Sequence, residues 1–184
     1  MVVALIVIGV LVVAAALWVL ATYNGLVKRR LRVENAWSQI DVILRQRHDL
    51  IPNLVQAVRD YTTYERGLVE DVTAARERAL SASGVGDQAS AERRLGEGIS
   101  RLLAVAEAYP DLKASNNFLA LQDQLSTVEN RLAITRQVYN DTVQTYNEKV
   151  QTMPSALVAR RLGFASREFF DAPAAERAVP AVAL

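Results

Sequence analysis

The sequence predicts an all-α protein with a single N-terminal transmembrane helix, followed by an antiparallel bundle of long helices, three long and one short. The first supporting observation is an uninterrupted apolar stretch at residues 2–21. The second is a spacing of apolar residues by alternating steps of four and three, which is the heptad repeat of packed helices. The third is the lack of the period-two alternation that is typical of half-buried strands.

Composition removes several function classes. The 184 residues include 21 Lys plus Arg, 20 Asp plus Glu, one His and no Cys. A formal net charge of +1 gives no global positive field, so nucleic acid is not an expected partner. The lack of cysteine excludes disulfides, thiol catalysis and Cys/His zinc sites. The length suits one domain, and we expect an anchor at 1–22, a bundle at 23–170 and a flexible tail at 171–184.

The first predicted element is a transmembrane helix. Residues 2–21 carry no charged side chain, and 20 helical residues span about 30 Å, the thickness of the hydrocarbon core of a bilayer. A cleaved signal peptide is the alternative, because Ala14, Ala15 and Ala16 supply small residues. The positive n-region is missing, however, and the apolar core is too long for a signal peptide.

The end of the apolar stretch predicts its orientation. Trp18 and Tyr23 lie where amphipathic rings favour the membrane interface. Basic residues follow only on this side, so we predict an N-terminus outside and a bundle in the cytoplasm. These residues, the basic collar, are Lys28, Arg29, Arg30 and Arg32. The collar is either a topology signal alone or also a binding site for anionic lipid headgroups, worth roughly 1 kcal/mol per residue. Membrane lipids are therefore expected partners.

The second predicted element is a helix at 26–80. Its heptad seam runs from Val33 to Ala79, with only Arg47 and Glu65 off-type. Pro52 lies in the middle of the seam and should remove one helical hydrogen bond. We predict a helix that is kinked at Pro52. The alternative is a break, with Asp49 capping a new helix.

Turn and cap residues divide the rest of the chain. Gly96 and Gly98 weaken one helix, and Tyr109-Pro110 closes it. Gly163 can end the last helix. The predicted elements are a loop at 81–86, a second helix at 88–108, a third helix at 115–151 and a short fourth helix at 154–162.

The helix lengths predict self-association. The first soluble helix would be about 80 Å long, the second about 30 Å and the third about 55 Å. The membrane-proximal seam would then lack an intrachain partner, and an exposed apolar seam is an association surface. We predict a homo-oligomer that packs through Val33, Trp37, Ile40 and Leu44. The alternative is a bend at Pro52 that lets the helix cover itself.

Two segments resemble the LemA family. The first is residues 23–80, which begin YNGLVKRRLRVENAWSQ, and the second contains AYPDLKASNNFLALQDQ and YNDTVQTYNEKV. The resemblance covers about 23–170, and it departs at Met153, where an aromatic residue is expected before the proline. It implies a bacterial inner-membrane protein, anchored at its N-terminus, with an antiparallel helical bundle in the cytoplasm. It implies no known reaction, and some relatives are linked to the biogenesis of membrane compartments.

The residues predict no catalytic, cofactor or metal site. His48, beside Asp49, has no nucleophile pattern around it and is interpreted as a structural or surface histidine. A di-metal bundle site needs Glu-x-x-His on two helices, and the chain has one histidine. Gly84-Val85-Gly86 follows no predicted strand, so it does not indicate a phosphate loop.

Polar residues near the seams have two interpretations, a binding groove or buried amides and phenols that fix helix register. The second is favoured for Asn35, Gln39, Asn53, Tyr139, Asn140, Tyr146 and Asn147. Charged residues of the third helix are interpreted as a solvated face with local pairs. They are Glu129, Arg131, Arg136, Glu148 and Lys149.

The functional hypotheses follow from these features. The first is a non-enzymatic membrane-anchored scaffold that self-assembles on the cytoplasmic face and organises or shapes the membrane. The second is an adaptor that docks an unidentified membrane enzyme, kinase or protease through the bundle surface. An enzyme is the third, and no arrangement of acid, base, nucleophile or metal ligand supports it.

Overall fold

A computed structural model describes residues 1–61 and 66–170, which form helices joined by turns and contain no strand. The helices of this part are α1 (Val2–Arg59), α2 (Arg66–Ser81), α3 (Val85–Glu107), α4 (Pro110–Lys113), α5 (Asn116–Gln151) and α6 (Ser155–Arg161). The predicted all-α class is confirmed, with a long N-terminal apolar helix followed by further helices. The antiparallel bundle stays a prediction, and the tail predicted at 171–184 lies outside the described residues.

The helix predicted at 26–80 is wrong at its end. α1 continues without interruption from the apolar stretch through Pro52 and ends at Arg59, and α2 begins at Arg66. The alternative break at Asp49 is also wrong, because that residue is helical. The heptad phase continues beyond Arg59, so the apolar spacing did not indicate the end of α1.

Pro52 is accommodated inside α1 by a tertiary hydrogen bond. Because proline has no N–H, the carbonyl of His48, four residues earlier, loses its helical donor. The Nε of Arg76 in α2 donates to this carbonyl oxygen at 2.8 Å. The residue from α2 therefore replaces the bond that the proline removes.

The later helices lie close to their predicted bounds. α3 begins three residues earlier than expected, and α5 begins at Asn116 rather than Ser115. The short α4, with Tyr109 in extended conformation before it, was not predicted. α6 is followed by Gly163, which has a φ of 73° and so adopts the left-handed conformation that favours glycine.

The chain divides into two compact units. The first contains residues 1–38 and 138–167, and the second contains residues 39–137 and the segment from Glu168. The core of the second unit contains Ile51, Leu54, Val58, Val72, Leu95, Leu102, Phe118 and Leu125. Here α2 and α3 approach closely, since a Cβ on Gly98 would lie 3.1 Å from the Cγ2 of Val72.

The prediction that the membrane-proximal seam lacks an intrachain partner is wrong. Val33 is 3 %, Ile40 0 % and Leu44 3 % exposed within the single chain. Trp37 is partly buried, with its ring 5.6 Å from the ring of Tyr139. Other parts of the same chain thus cover these side chains, so unequal helix lengths no longer support their assignment to subunit packing. That assignment itself stays a prediction.

Candidate functional site

The apolar part of α1 is the candidate membrane anchor. All residues from 2 to 21 are exposed, and the most apolar 18-residue window is 0 % buried. Within the described residues, α1 is the one helix long and apolar enough to cross a membrane. Trp18 and Tyr23, predicted at the interface, are 41 % and 42 % exposed. A fully exposed apolar helix is what a bilayer would cover.

Intrachain packing begins where the apolar stretch ends. Thr22 is 7 % and Leu26 0 % exposed, directly after the exposed anchor residues. The ring of Phe164, from the segment after α6, lies edge-on to the ring of Tyr23 at 5.9 Å. The guanidinium of Arg30 lies over the same Phe164 ring, 5.6 Å from its centroid. The segment after α6 therefore reaches the membrane-proximal end of the first unit.

The basic collar is not uniform. Lys28 and Arg32 are exposed, and Arg29 is partly exposed. Arg30 stacks on Phe164, and its Nε lies 3.8 Å from a carboxylate oxygen of Glu34. Arg30 thus has a role within the fold, whereas the other three side chains are free to meet lipid headgroups. Headgroup binding by the collar remains a prediction.

The Tyr-Asn pair at 146–147 holds the segment after α6. The hydroxyl of Tyr146 donates to the carbonyl of Ala165 at 3.0 Å. The amide of Asn147 donates to the carbonyl of Arg167 at 2.9 Å, and its oxygen accepts from the Arg167 N–H at 2.8 Å. Burial raises the pKa of Tyr146. Burial is confirmed for this pair and for Tyr139. The pair binds the backbone of the segment after α6, and the ring of Tyr139 contacts the ring of Trp37.

The interpretation as buried amides is wrong for the other asparagine and glutamine residues near the first seam. Asn35, Gln39 and Asn53 are exposed. Each lies beside the seam rather than on it, so the helical rotation of about 100° per residue turns its side chain away from the core.

The second unit contains a buried ionic cluster, defined as Arg47, His48, Glu92 and Glu129. The Nη1 of Arg47 lies 2.5 Å from a carboxylate oxygen of Glu92, and its Nε lies 2.6 Å from Glu129. The Nε2 of His48 lies 2.7 Å from the other oxygen of Glu92. Arg47 and His48 are each 3 % exposed, and Glu92 is 1 % exposed. Three helices, α1, α3 and α5, meet at these charges.

The protonation of Glu92 depends on its partners. Burial alone would raise the pKa of its carboxyl. The hydrogen bond and charge of His48, with the charge and hydrogen bond of Arg47, outweigh burial, so the pKa of Glu92 is lowered. Gln88 also donates to a Glu92 oxygen at 2.9 Å. The carboxylate is thus ionised and fully hydrogen-bonded, as a buried charge requires.

The buried groups at the centre of the cluster pair with one another. Its central groups are sealed from solvent, and each is engaged with another protein group. Among the described residues, no group of three His, Asp or Glu side chains lies close enough to hold a metal ion. His48 is buried and contacts Glu92, as predicted for a structural rather than a surface histidine. Its expected neighbour Asp49 is exposed.

Sequence reasoning missed this cluster although one signal was present. Arg47 was noted as an off-type residue in an apolar seam, and a charge at a core position requires a buried counter-charge. The solvated-face interpretation is wrong for Glu129, which pairs with Arg47, and for Arg136, which stacks 4.7 Å from the ring of Phe170. The partners come from distant parts of the chain, so no local spacing identifies them.

Comparisons with known proteins identify the family of this chain. The sequence profile of the LemA family matches residues 36–184. The chain belongs to the LemA family. The resemblance seen in the sequence motifs is thereby confirmed.

Two of the LemA-family relatives are the magnetosome proteins MamQ 1 and MamQ 2 of Paramagnetospirillum magneticum. Each is 26% identical over 195 residues, covering 91% of this chain and 72% of the relative. The magnetosome protein MamQ of Magnetospirillum gryphiswaldense is 23% identical, covering 82% of this chain and 65% of the relative. The apolar helix and these relatives together indicate a membrane-associated protein. Neither the family description nor the relatives' names state a reaction.

Proposed function

We propose that this LemA-family chain is a non-enzymatic, membrane-anchored helical scaffold of the bacterial inner membrane. It self-assembles on the cytoplasmic face and organises or shapes the bilayer. The observation that carries the proposal is the exposed apolar segment of α1, which continues as one helix into packed, buried residues. A packed helical region is thus fixed to an anchor with no intervening linker.

The proposed orientation places the N-terminus outside and the packed helices in the cytoplasm. The collar supports it, because basic residues near a transmembrane segment favour the cytoplasmic side. We expect the replacement of all four basic residues by Gln to lower the fraction of molecules in this orientation and to weaken their association with lipids. These residues are Lys28, Arg29, Arg30 and Arg32. Accessibility of single cysteines on each side of the membrane measures orientation. Unchanged orientation and unchanged lipid association would contradict the role assigned to the collar.

Self-assembly needs a surface that the single chain leaves exposed. In the second unit, Val42 is 54 % and Ile134 65 % exposed. Both lie within a helical turn of the hydrogen bond from Arg131 to Gln46. These apolar side chains remain available for contact between copies, whereas Ile40 and Leu44 are already buried.

The test is the mass of the full-length protein in mild detergent, measured by light scattering, with electron microscopy of the same fraction. We expect a large homo-oligomer of defined shape. A monomer would contradict self-assembly and favour an adaptor that binds a different membrane protein.

A pair of variants locates the contact. We expect Val42→Glu with Ile134→Glu to reduce the mass of the assembly, because a carboxylate in an apolar contact must be desolvated. The matched control is Gln39→Glu with Gln137→Glu, which adds the same charge at exposed polar positions. Equal loss of assembly in both variants would assign the effect to charge rather than to this surface.

A further inference from the structure

In the first unit, the partners of α1 come from the C-terminal part of the chain. Along α1, the ring of Trp37 contacts the ring of Tyr139, and Glu34 pairs with Arg167 at 3.5 Å. The backbone carbonyl of Arg167 in turn accepts a hydrogen bond from Asn147 of α5. As α1 is followed back toward its apolar segment, its partners therefore come from later parts of the chain. Within this unit, α5 approaches the apolar segment as it approaches its own C-terminus.

Helix geometry places the end of α5 close to the bilayer. From Tyr139 to Gln151, the helix rises about 18 Å at 1.5 Å per residue. The same distance along α1 leads from Trp37 back to Gly25, only about 6 Å from the end of the apolar segment at Ala21. α6 follows directly after this point, beginning at Ser155.

The chain after α6 supports this position with a separate contact. The N–H of Phe164 donates to the carbonyl of Ala159 at 2.9 Å, so Phe164 folds back onto the last turn of α6. The ring of Phe164 contacts Tyr23, two residues after the apolar segment. Both ends of α6 are thus held near the membrane boundary.

The exposed side of α6 and its flanking residues present apolar side chains of the kind found at a membrane surface. Ser155, Val158 and Ala159 are buried against the protein. On the outer side and its flanks, Met153 is 70 %, Leu157 60 % and Leu162 49 % exposed. Apolar side chains at this position would face the bilayer interface rather than bulk water.

The charge of this region matches an anionic surface. Arg160 and Arg161 are exposed, and among the described residues no carboxylate lies within ion-pair distance of either. From residue 149 to residue 167 the sequence contains four basic residues and no acidic one. Arginines beside exposed apolar side chains are typical of segments that lie in the headgroup region.

We propose that α6 and its flanking residues lie on the bilayer surface and bind anionic lipid headgroups, as a second membrane contact beside the apolar helix. The inference rests on the membrane anchoring in the proposed function. It adds a contact that fixes the rotation of the first unit about the anchor, because one attachment point lies on α1 and the other on α6.

The absence of cysteine allows a direct test in the full-length protein. Leu157→Cys, labelled with an environment-sensitive fluorophore, is reconstituted in vesicles of phosphatidylcholine with phosphatidylglycerol. We expect blue-shifted emission and quenching by bromolipids. Ser38→Cys, an exposed position on α1 about 25 Å beyond the apolar segment, is the control and should show neither. Leu11→Cys, within the apolar segment, reports anchoring itself.

The outcomes separate the two proposals. Quenching at Leu11 without quenching at Leu157 overturns the α6 contact and leaves the anchor in place. No quenching at either position overturns both. A blue shift at Leu157 without lipid quenching indicates a protein partner and overturns the lipid assignment.

A charge variant tests the headgroup chemistry. Arg160→Gln with Arg161→Gln should weaken the partitioning of α6 onto anionic vesicles, by about fivefold for each arginine. Bromolipid quenching of the Leu157 label should then no longer rise with phosphatidylglycerol content. Arg66→Gln with Arg78→Gln removes the same charge from exposed positions of α2 and should leave that rise intact. Retention of the rise in the α6 variant would overturn headgroup binding.

Discussion

One arginine occupies a position in α1 where the heptad pattern predicts an apolar residue. Arg47 lies on the predicted seam, and its side chain is 4% exposed, as is that of His48. A buried arginine is tolerated only with a partner, and Glu92 supplies one from α3 with a fully buried carboxylate. The cluster thus links distant parts of the second unit through charge-assisted hydrogen bonds.

Removing one charge from this cluster should be strongly destabilising. Glu92→Gln leaves Arg47 with only Glu129 as a counter-charge, and we expect the free energy of unfolding to fall by about 3 kcal/mol. Glu97→Gln, at an exposed position of the same helix, should change it by less than about 0.5 kcal/mol. Urea denaturation of both variants measures the difference. Equal small changes would show that Glu92 is dispensable.

The same carboxylate predicts a pH dependence. The folded pKa of Glu92 lies below the ordinary value of 4.5. Its ionisation therefore stabilises the folded state fully above about pH 4.5, and this contribution is lost as the pH falls through the lowered folded pKa. The stability difference between the wild type and Glu92→Gln should shrink on acidification. A difference that stays constant down to acid unfolding would contradict this linkage.

At the scale of the elements, local signals were reliable only where the cause was local. Pro154 and Gly163 flank α6, and their backbone preferences predicted that helix to within a residue. The end of α1 at Arg59 was missed because the heptad phase persists beyond it. The continuity of α1 through Pro52 depends on Arg76 from another helix, which no spacing in the sequence indicates.

The close approach of α2 and α3 makes a glycine pair informative. A methyl group on Gly98 would meet the side chain of Val72 at 3.1 Å, whereas nothing lies within 4 Å of one on Gly67. We expect Gly98→Ala to lower the free energy of unfolding by about 1 kcal/mol. The crowding of Val72 by the added methyl group outweighs the gain from the higher helix propensity of alanine. Gly67→Ala should raise it by about 0.5 kcal/mol. Thermal denaturation of the two variants measures both changes in stability. A Gly98→Ala variant more stable than the wild type would contradict the close approach of α2 and α3.

At the scale of the whole molecule, we expect the anchor to contribute nothing to the folding stability of the packed region, although both share one helix. Deletion of residues 1–21 removes side chains that bury nothing, so we expect an unchanged melting temperature and a protein that salt releases from membranes. Deletion of residues 1–30 also removes the buried Thr22 and Leu26 and should lower the melting temperature. Equal melting temperatures for the two truncations would contradict the packing seen at Leu26.

The burial of Thr22 also limits how far the packed region can move away from the membrane anchor. A flexible linker lets a tethered domain explore a volume that grows with linker length, which dilutes it relative to its neighbours. Here the first buried residue directly follows the apolar segment, so no flexible linker separates the anchor from the packed region. Copies in one membrane would meet at a common height and would search a plane instead of a volume, which raises their effective concentration without any added contact.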